Sequence, residues 1–252
     1  MIEAETVRRS PASWYQRSVS VGGRYLVACL GLTPAVAALA WSLTQTLAGG
    51  VTGVLAFVIM AGVTGLALRK HYPHDRLGIA NVVTLSRTGI IAALCGLLAA
   101  PGLLAESDVL AWTVLAIAVF SLSLDGVDGY FARRQVLSSS FGARFDMEID
   151  SIFALLLALL CWQSGKAGLW VLVLGGMRYL FLAAALVWPW LMGSLPERFS
   201  RKVICVVQIG VLIALLAPVI SGPLSWTIAA IATLLLIYSF GRDVVWLARH
   251  RS

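Results

Sequence analysis

Eight apolar stretches, at roughly 25–47, 50–68, 79–100, 108–131, 143–163, 167–192, 203–220 and 224–246, constrain this chain more than any other feature. Each comes close to or exceeds the ~20 residues that an α-helix needs to cross the hydrocarbon core of a bilayer. In lipid, a spanning segment must satisfy its own backbone amides, which makes the helix the natural form for runs of this length. With 60% hydrophobic and 12% charged residues and a mean hydropathy of +0.89, the composition excludes an ordinary soluble domain. The expected fold class is an all-α polytopic membrane protein with about eight transmembrane helices.

A formal charge of +7 raises the question of nucleic acid, but the basic residues are dispersed between the apolar runs, with no aromatic-interleaved basic patch. Charge here reads as topology. In an alternating eight-span arrangement, Arg24, Arg69, Lys70, Arg76, Arg133, Arg134, Arg198, Arg201, Lys202 and Arg249 fall on one side, against Lys166 in an opposite loop. Positively charged loops stay cytoplasmic, so both termini are expected there. Arg8-Arg9-Ser10 resembles a twin-arginine export signal, yet the run behind it is span-length and a second follows at once, which suits a retained anchor. Cys29, Cys95, Cys161 and Cys205 each fall inside a span without metal-site or disulfide spacing, and His71, His74 and His250 lie beside basic residues in cytoplasmic segments. No chemistry is assigned to either group.

The longest charged break, Arg69 to Leu77, divides the chain. Three regions are expected: a cytoplasmic interfacial segment at 1–22, a transmembrane hairpin and linker at 23–76, and a six-helix membrane domain at 77–252. Gly49, Gly50 and Gly53 read as the outer turn of the hairpin. Intramembrane polar groups are expected only in the six-helix part: Asn81, Thr84 and Arg87, an acidic window across the fourth and fifth spans, and Arg178 in the sixth.

That window holds five of the twelve acidic residues of the chain, in the order Asp125-x-x-Asp128-Gly129-x-x-Ala132-Arg133, then Gly142-x-x-x-Asp146-x-x-x-Asp150, with Glu148 off the pattern. Residues three and four apart share a helix face, so each half forms one stripe. Ionised side chains beside apolar spans cost a few kcal/mol unless something binds them. Two facing stripes would gather four carboxylates, the oxygen-rich setting that hard divalent cations prefer. Mg²⁺ or Mn²⁺ is the expected cofactor, as one or two ions. Small residues at 129, 132 and 142 leave room for a ligand, and Arg133 adds a positive fork. Carboxylates, metal and arginine together suit phosphoryl chemistry, in which charge at a diphosphate must be neutralised.

Other readings of the window are weaker. Internal pairing with Arg133, Arg134 and Arg144 explains neither the phase of the aspartates nor the glycines. A calcium loop needs ligands at alternating positions, which Asp125-Gly126-Val127-Asp128 lacks. A prenyl-diphosphate site would bind the same ion without the downstream glycine and arginine spacing. A divalent-cation transporter would need a continuous polar path, and the outer halves of these spans are almost entirely apolar. A non-catalytic scaffold sits poorly with an intact pattern.

The complete pattern, D-x-x-D-G-x-x-A-R, eight residues, then G-x-x-x-D-x-x-x-D, resembles the signature of the CDP-alcohol phosphotransferases (CDP-alcohol phosphatidyltransferases) at every fixed position. Asn81-x-x-Thr84-x-x-Arg87 looks like the element that opens the core of that family, and the likeness extends over roughly 77–252. The resemblance implies a membrane-embedded enzyme, usually a homodimer, that opens to the cytoplasm, transfers a substituted phosphoryl group from a CDP-linked donor to an alcohol and releases CMP. By position, Asp125, Asp128, Asp146 and Asp150 would hold metal. Asp150 would also be the catalytic base, while Asn81, Thr84, Gly129, Arg133 and Gly142 would bind the CDP part.

With its compact length and basic cytoplasmic face the chain resembles the bacterial members that use CDP-diacylglycerol, which implies that donor and a polar alcohol acceptor, in phospholipid biosynthesis at a bacterial inner membrane, with membrane lipids as the other partners. The alternative is a CDP-amino alcohol donating to a lipid alcohol. Arg144, Arg178, Arg201 and Lys202 are the candidate acceptor-binding residues. An unpaired Arg178 within an apolar span is costly, so it should pair with the acidic site or receive an anionic substrate group. Relatives that use glycerol 3-phosphate typically carry G-K-x-K-T-x-x-Q near the later spans, where this chain keeps only Lys202 and Gln208 of the lysine, threonine and glutamine positions. They also have a proline-containing segment where this chain has Met147-Glu148-Ile149. The acceptor therefore stays open.

Overall fold

A computed structural model describes residues 11–74, 77–135, 139–193 and 199–250, with the side chains of 11–20, 126–135 and 199–202 outside that description. Among the described residues every regular element is helical. Eight long helices follow the eight apolar stretches: α1 (Pro11–Thr44), α2 (Leu47–His71), α3 (Ile79–Cys95), α4 (Asp108–Gln135), α5 (Ser140–Gln163), α6 (Val171–Val187), α7 (Phe199–Leu215) and α8 (Gly222–Arg249). Five of them, α1 to α4 and α8, contain segments long and apolar enough to cross a membrane. α6 and α7 are apolar but shorter, and α5 has the length but carries Arg144, Asp146, Glu148 and Asp150 in its first half. The chain is an all-helical polytopic membrane protein.

α3 is the central element. It packs against α1, α2, α4 and α5, and 61% of its apolar segment is buried, against 33% or less in the other four spanning segments. Buried there, the polar side chains of α3 find partners within the protein: Thr84 and Thr88 bond to carbonyls of α3 itself, and Arg87 reaches neighbouring helices. α1 and α2 form the expected hairpin, but the turn lies at Gln45 and Thr46 rather than at the glycines. Gln45 takes the left-handed φ of 52°, and the hydroxyl of Thr46 accepts from the Gly49 amide at 3.1 Å to start α2. Gly49, Gly50 and Gly53 fall inside the first turns of α2. Packing accounts for Gly53 there, since a Cβ on it would lie 2.7 Å from the Ala40 Cβ of α1 and 3.2 Å from the Ala92 carbonyl of α3. The small residue lets three helices meet closely.

A second close approach joins α5 and α6. A Cβ at Gly175 would sit 2.5 Å from both the Ala154 carbonyl oxygen and the Ala158 Cβ, whereas one at Gly176 would meet Leu155 Cδ1 at an ordinary 3.6 Å. Backbone cannot yield as a side-chain end can. Gly175→Val is therefore expected to destabilise the protein by about 3 kcal/mol, the upper part of the overpacking range, and Gly176→Ala to be nearly neutral. Thermal unfolding of the two variants in detergent checks the contrast, and equal midpoints would refute it.

On the face of the bundle away from the acidic window, the ammonium of Lys166 donates to the carbonyls of Ala217 at 2.9 Å and Ile220 at 2.7 Å. It ties the α5–α6 loop to the turn that follows α7, where the Ala217 carbonyl also accepts from the Ile220 amide. None of the four cysteines is in a disulfide. The last helix adds polar groups that hydropathy conceals: Arg242 and Asp243 lie near its C-terminal end, with Asp243 and Ser239 buried. The intramembrane polar set is thus larger than hydropathy alone indicates.

Candidate active site

The first turns of α3, the last turns of α4 and the first turns of α5 converge at one end of the bundle. Two of them, α3 and α5, are placed there by contacts at their N-terminal ends. The hydroxyl of Ser139 caps α5 by accepting from the Gly142 amide at 3.0 Å. At the start of α3, the Tyr72 hydroxyl accepts from the Gly78 amide at 3.1 Å and from Asn81 Nδ2 at 3.2 Å. The Tyr72 ring meets Phe141 of α5 edge-on, with centroids 5.6 Å apart. One tyrosine after α2 therefore joins the starts of α3 and α5.

Arg87 is the centre of the site. Its side chain is 0% exposed, and it reaches three aspartates from two other helices. Nη1 donates to Asp125 Oδ1 at 2.9 Å and to Asp146 Oδ1 at 2.7 Å, and Nη2 donates to Asp150 Oδ1 at 2.5 Å. The carboxylates remain 34%, 35% and 31% exposed on their outer side. The planar fork of an arginine suits such multiple pairing, and its charge cannot be lost at accessible pH.

The three aspartates each present an oxygen such that all three ligand atoms lie within 4.8 Å of one another. Among the described residues Arg87 brings one positive charge against these three carboxylates, an excess of two negative charges when all are ionised. Hard oxygen donors, close spacing and residual negative charge fit a divalent cation such as Mg²⁺ or Mn²⁺. Asp128, the fourth expected ligand, is on the same stretch of α4, but its side chain lies outside the described residues.

The other expected site residues divide by location. Asn81 and Thr84 are buried on α3, about two turns and one turn before Arg87, and Thr84 Oγ1 donates to the Ala80 carbonyl at 3.0 Å. A Cβ at Gly142 would come within 3.3 Å of Asn81 Oδ1, so these two members of the expected donor-binding set adjoin. Gly129 and Arg133 are on α4 and Arg201 and Lys202 on α7, with side chains outside the described residues. Arg144 is exposed on α5.

Arg178 does not reach the aspartates. Its Nη2 pairs with Glu148, and its Nη1 lies against the Met147 sulfur. Glu148 is two residues from both Asp146 and Asp150 and so faces α6 instead of α3, which gives the α6 cation its own partner. Two residues of this site were missed as such in the sequence. Arg87 stood in a motif without a role, although the cost of an isolated cation in an apolar helix was a sufficient signal. Tyr72 gave no signal beyond its place between α2 and Pro73.

The family model for CDP-alcohol phosphatidyltransferase matches residues 77–238, more than half of the chain. The match begins just before α3 and extends into α8, and it contains Arg87 and all four window aspartates. Neither the curated proteins nor the solved structures give a significant match.

Proposed function

The chain belongs to the CDP-alcohol phosphatidyltransferase family, and we propose that it transfers a phosphatidyl group from CDP-diacylglycerol to the hydroxyl of a polar alcohol, releasing CMP. The family consists of transferases of substituted phosphate groups. The observation that carries the finer reading is the gathering of Asp125, Asp146 and Asp150 around Arg87.

In this reading Asp125, Asp128, Asp146 and Asp150 hold one or two Mg²⁺ or Mn²⁺ ions. Bound there, the metal supplies positive charge against the donor diphosphate. Asn81, Thr84, Gly129, Arg133 and Gly142 hold the CDP part: Gly142 leaves space beside Asn81, and Arg133 offers a bidentate fork. Asp150 takes the proton of the acceptor hydroxyl. The acceptor oxygen bonds to the lipid-bearing phosphorus, the bond from that phosphorus to the bridging oxygen breaks, and CMP departs with that oxygen. Arg87 keeps the carboxylates aimed inward before substrate arrives, which reduces the reorganisation needed at the moment of reaction.

Arg144, Arg178, Arg201 and Lys202 draw the acceptor to the same end of the bundle. For Arg178 this requires sharing its guanidinium with Glu148. The reaction belongs to 77–252 of a homodimer in a bacterial inner membrane. The site and both termini face the cytoplasm, with 1–22 at the interface and 23–76 as a hairpin beside the core.

The test is CMP release by purified protein in CDP-diacylglycerol micelles, with Mg²⁺ or EDTA, against glycerol 3-phosphate, inositol phosphate, inositol, serine and lipid alcohols. Release that needs both metal and one acceptor, with the lipid product identified by mass, is expected. Turnover only with a CDP-amino alcohol and a lipid alcohol would overturn the donor assignment.

A further inference from the structure

α1 and α2 precede the family-matched segment, and between them runs a groove of about 450 Å³ that the proposed reaction does not use. Its walls are one face of each helix, from Gly22 to Thr33 on α1 and from Phe57 to Arg69 on α2. Local packing opens it. Tyr25 is turned inward, where its hydroxyl donates to the Ala61 carbonyl at 2.9 Å. Gly65 lies under that ring, and Gly62 has nothing within 4 Å of where its Cβ would be. Two helices that could have closed with larger side chains instead leave a channel towards the lipid.

Length and charge together define what fits. From Gly22 to Thr33 the groove follows α1 for about 16 Å at ~1.5 Å per residue, close to one leaflet of a hydrocarbon core about 30 Å thick. Between Tyr25 and Leu68 the chain has no Asp, Glu, Lys, Arg or His, so the interior of the groove, mostly apolar with Tyr25, Cys29 and Thr33 among its lining, offers no charge and suits an apolar chain. One end is basic: Arg69 lines it, covering Gly22, and exposed Arg24 and Lys70 stand at the same level. Among the described residues no carboxylate pairs with Arg69. A second copy of the chain, related by a twofold axis along the membrane normal, would bring its own Arg24 and Arg69 to this level and set like charge against like.

We propose that the groove binds one acyl arm of an anionic phospholipid, with Arg69 holding the headgroup phosphate. Such a lipid would sit on the hairpin, apart from the aspartates on α4 and α5, as a bound component of the bilayer leaflet.

Native mass spectrometry of the full chain in detergent tests this, with dioleoyl phosphatidylglycerol or dioleoyl phosphatidylcholine added at equal mole fraction. One phosphatidylglycerol per chain should be retained, about fivefold or more over phosphatidylcholine, the preference expected from one arginine at a membrane surface. Gly62→Leu, whose Cβ would meet nothing within 4 Å and whose longer side chain would occupy part of the groove, should lower retention about tenfold, equivalent to losing roughly two buried methylenes of contact. Arg69→Gln should still retain one lipid but lose the headgroup preference. Both variants leave the aspartates intact, so lipid bound at the active site is common to all samples. Equal retention of the two lipids by the unaltered protein would overturn the proposal, as would undiminished retention by Gly62→Leu. Dissociation of a dimer by Gly62→Leu with lipid retention unchanged would assign the groove to a second copy instead. If Gly62→Leu does not fold, Arg69→Gln decides, since it alters only an exposed side chain.

Discussion

Asp150→Asn is expected to lower kcat by about 10²- to 10⁴-fold, the range lost when a positioned general base is removed. The fold should survive, because the amide oxygen of the substituted side chain can still accept from Arg87 Nη2, as Asp150 Oδ1 does at 2.5 Å. Because Asp150 also holds metal in the proposed reaction, its loss should raise the Mg²⁺ requirement too, but the fall in kcat should persist at saturating Mg²⁺, where only the missing base remains. Asp146→Asn serves as the contrast. Its carboxylate pairs with Arg87 Nη1 at 2.7 Å, and in the proposed reaction it holds metal without taking a proton. Its loss should therefore appear as a higher Mg²⁺ concentration for half-maximal rate, with part of the maximal rate recovered at saturating metal. Steady-state kinetics of the two variants across an Mg²⁺ series separates the roles. Full activity of purified Asp150→Asn would remove Asp150 as the base.

Hydropathy located the helices because apolar length is what a bilayer selects for, and all eight long helices coincide with the expected stretches. It could not locate their ends. α1 begins at Pro11, well before the apolar run, and α6 stops at Val187 because Pro189 opens a 3₁₀ turn that ends at Met192. The hairpin turn was misplaced for a similar reason. Glycine signals a turn by its freedom at positive φ, but in α2 it serves close packing, and the left-handed residue is Gln45.

The acidic window was legible because its spacings of three and four are a property of one helix at a time. Its counter-charge was not. Arg87 lies 38, 59 and 63 residues from the three aspartates it binds, a distance that helix periodicity does not bridge. The same limit applied to Arg178, whose partner Glu148 is 30 residues away. Off-pattern acids are informative when the neighbouring helix carries an otherwise costly cation, and the Met147-Glu148-Ile149 segment that departs from the glycerophosphate pattern contains such an acid.

Arg87→Met has the largest expected effect on stability. The variant keeps the volume and apolar stem of the side chain but removes the cation that three carboxylates share, in a position with no exposure. Removing one partner of a buried ion pair costs about 3–5 kcal/mol. The lower end applies here, because the aspartates are about one third exposed and water screens part of their repulsion. In EDTA the thermal midpoint should therefore fall clearly below that of the unaltered protein. Adding Mg²⁺ should raise it by more than it raises the unaltered protein, since an ion among Asp125, Asp146 and Asp150 would replace the missing charge and a ligand that binds only the folded state stabilises it. Arg87→Lys should fall between the two, because an ammonium keeps the charge without the planar fork that meets three carboxylates. An Arg87→Met midpoint in EDTA equal to that of the unaltered protein would show that the guanidinium is not the counter-charge. A loss that Mg²⁺ and Mn²⁺ both fail to restore would argue instead that the three aspartates do not hold a cation without Arg87 beside them.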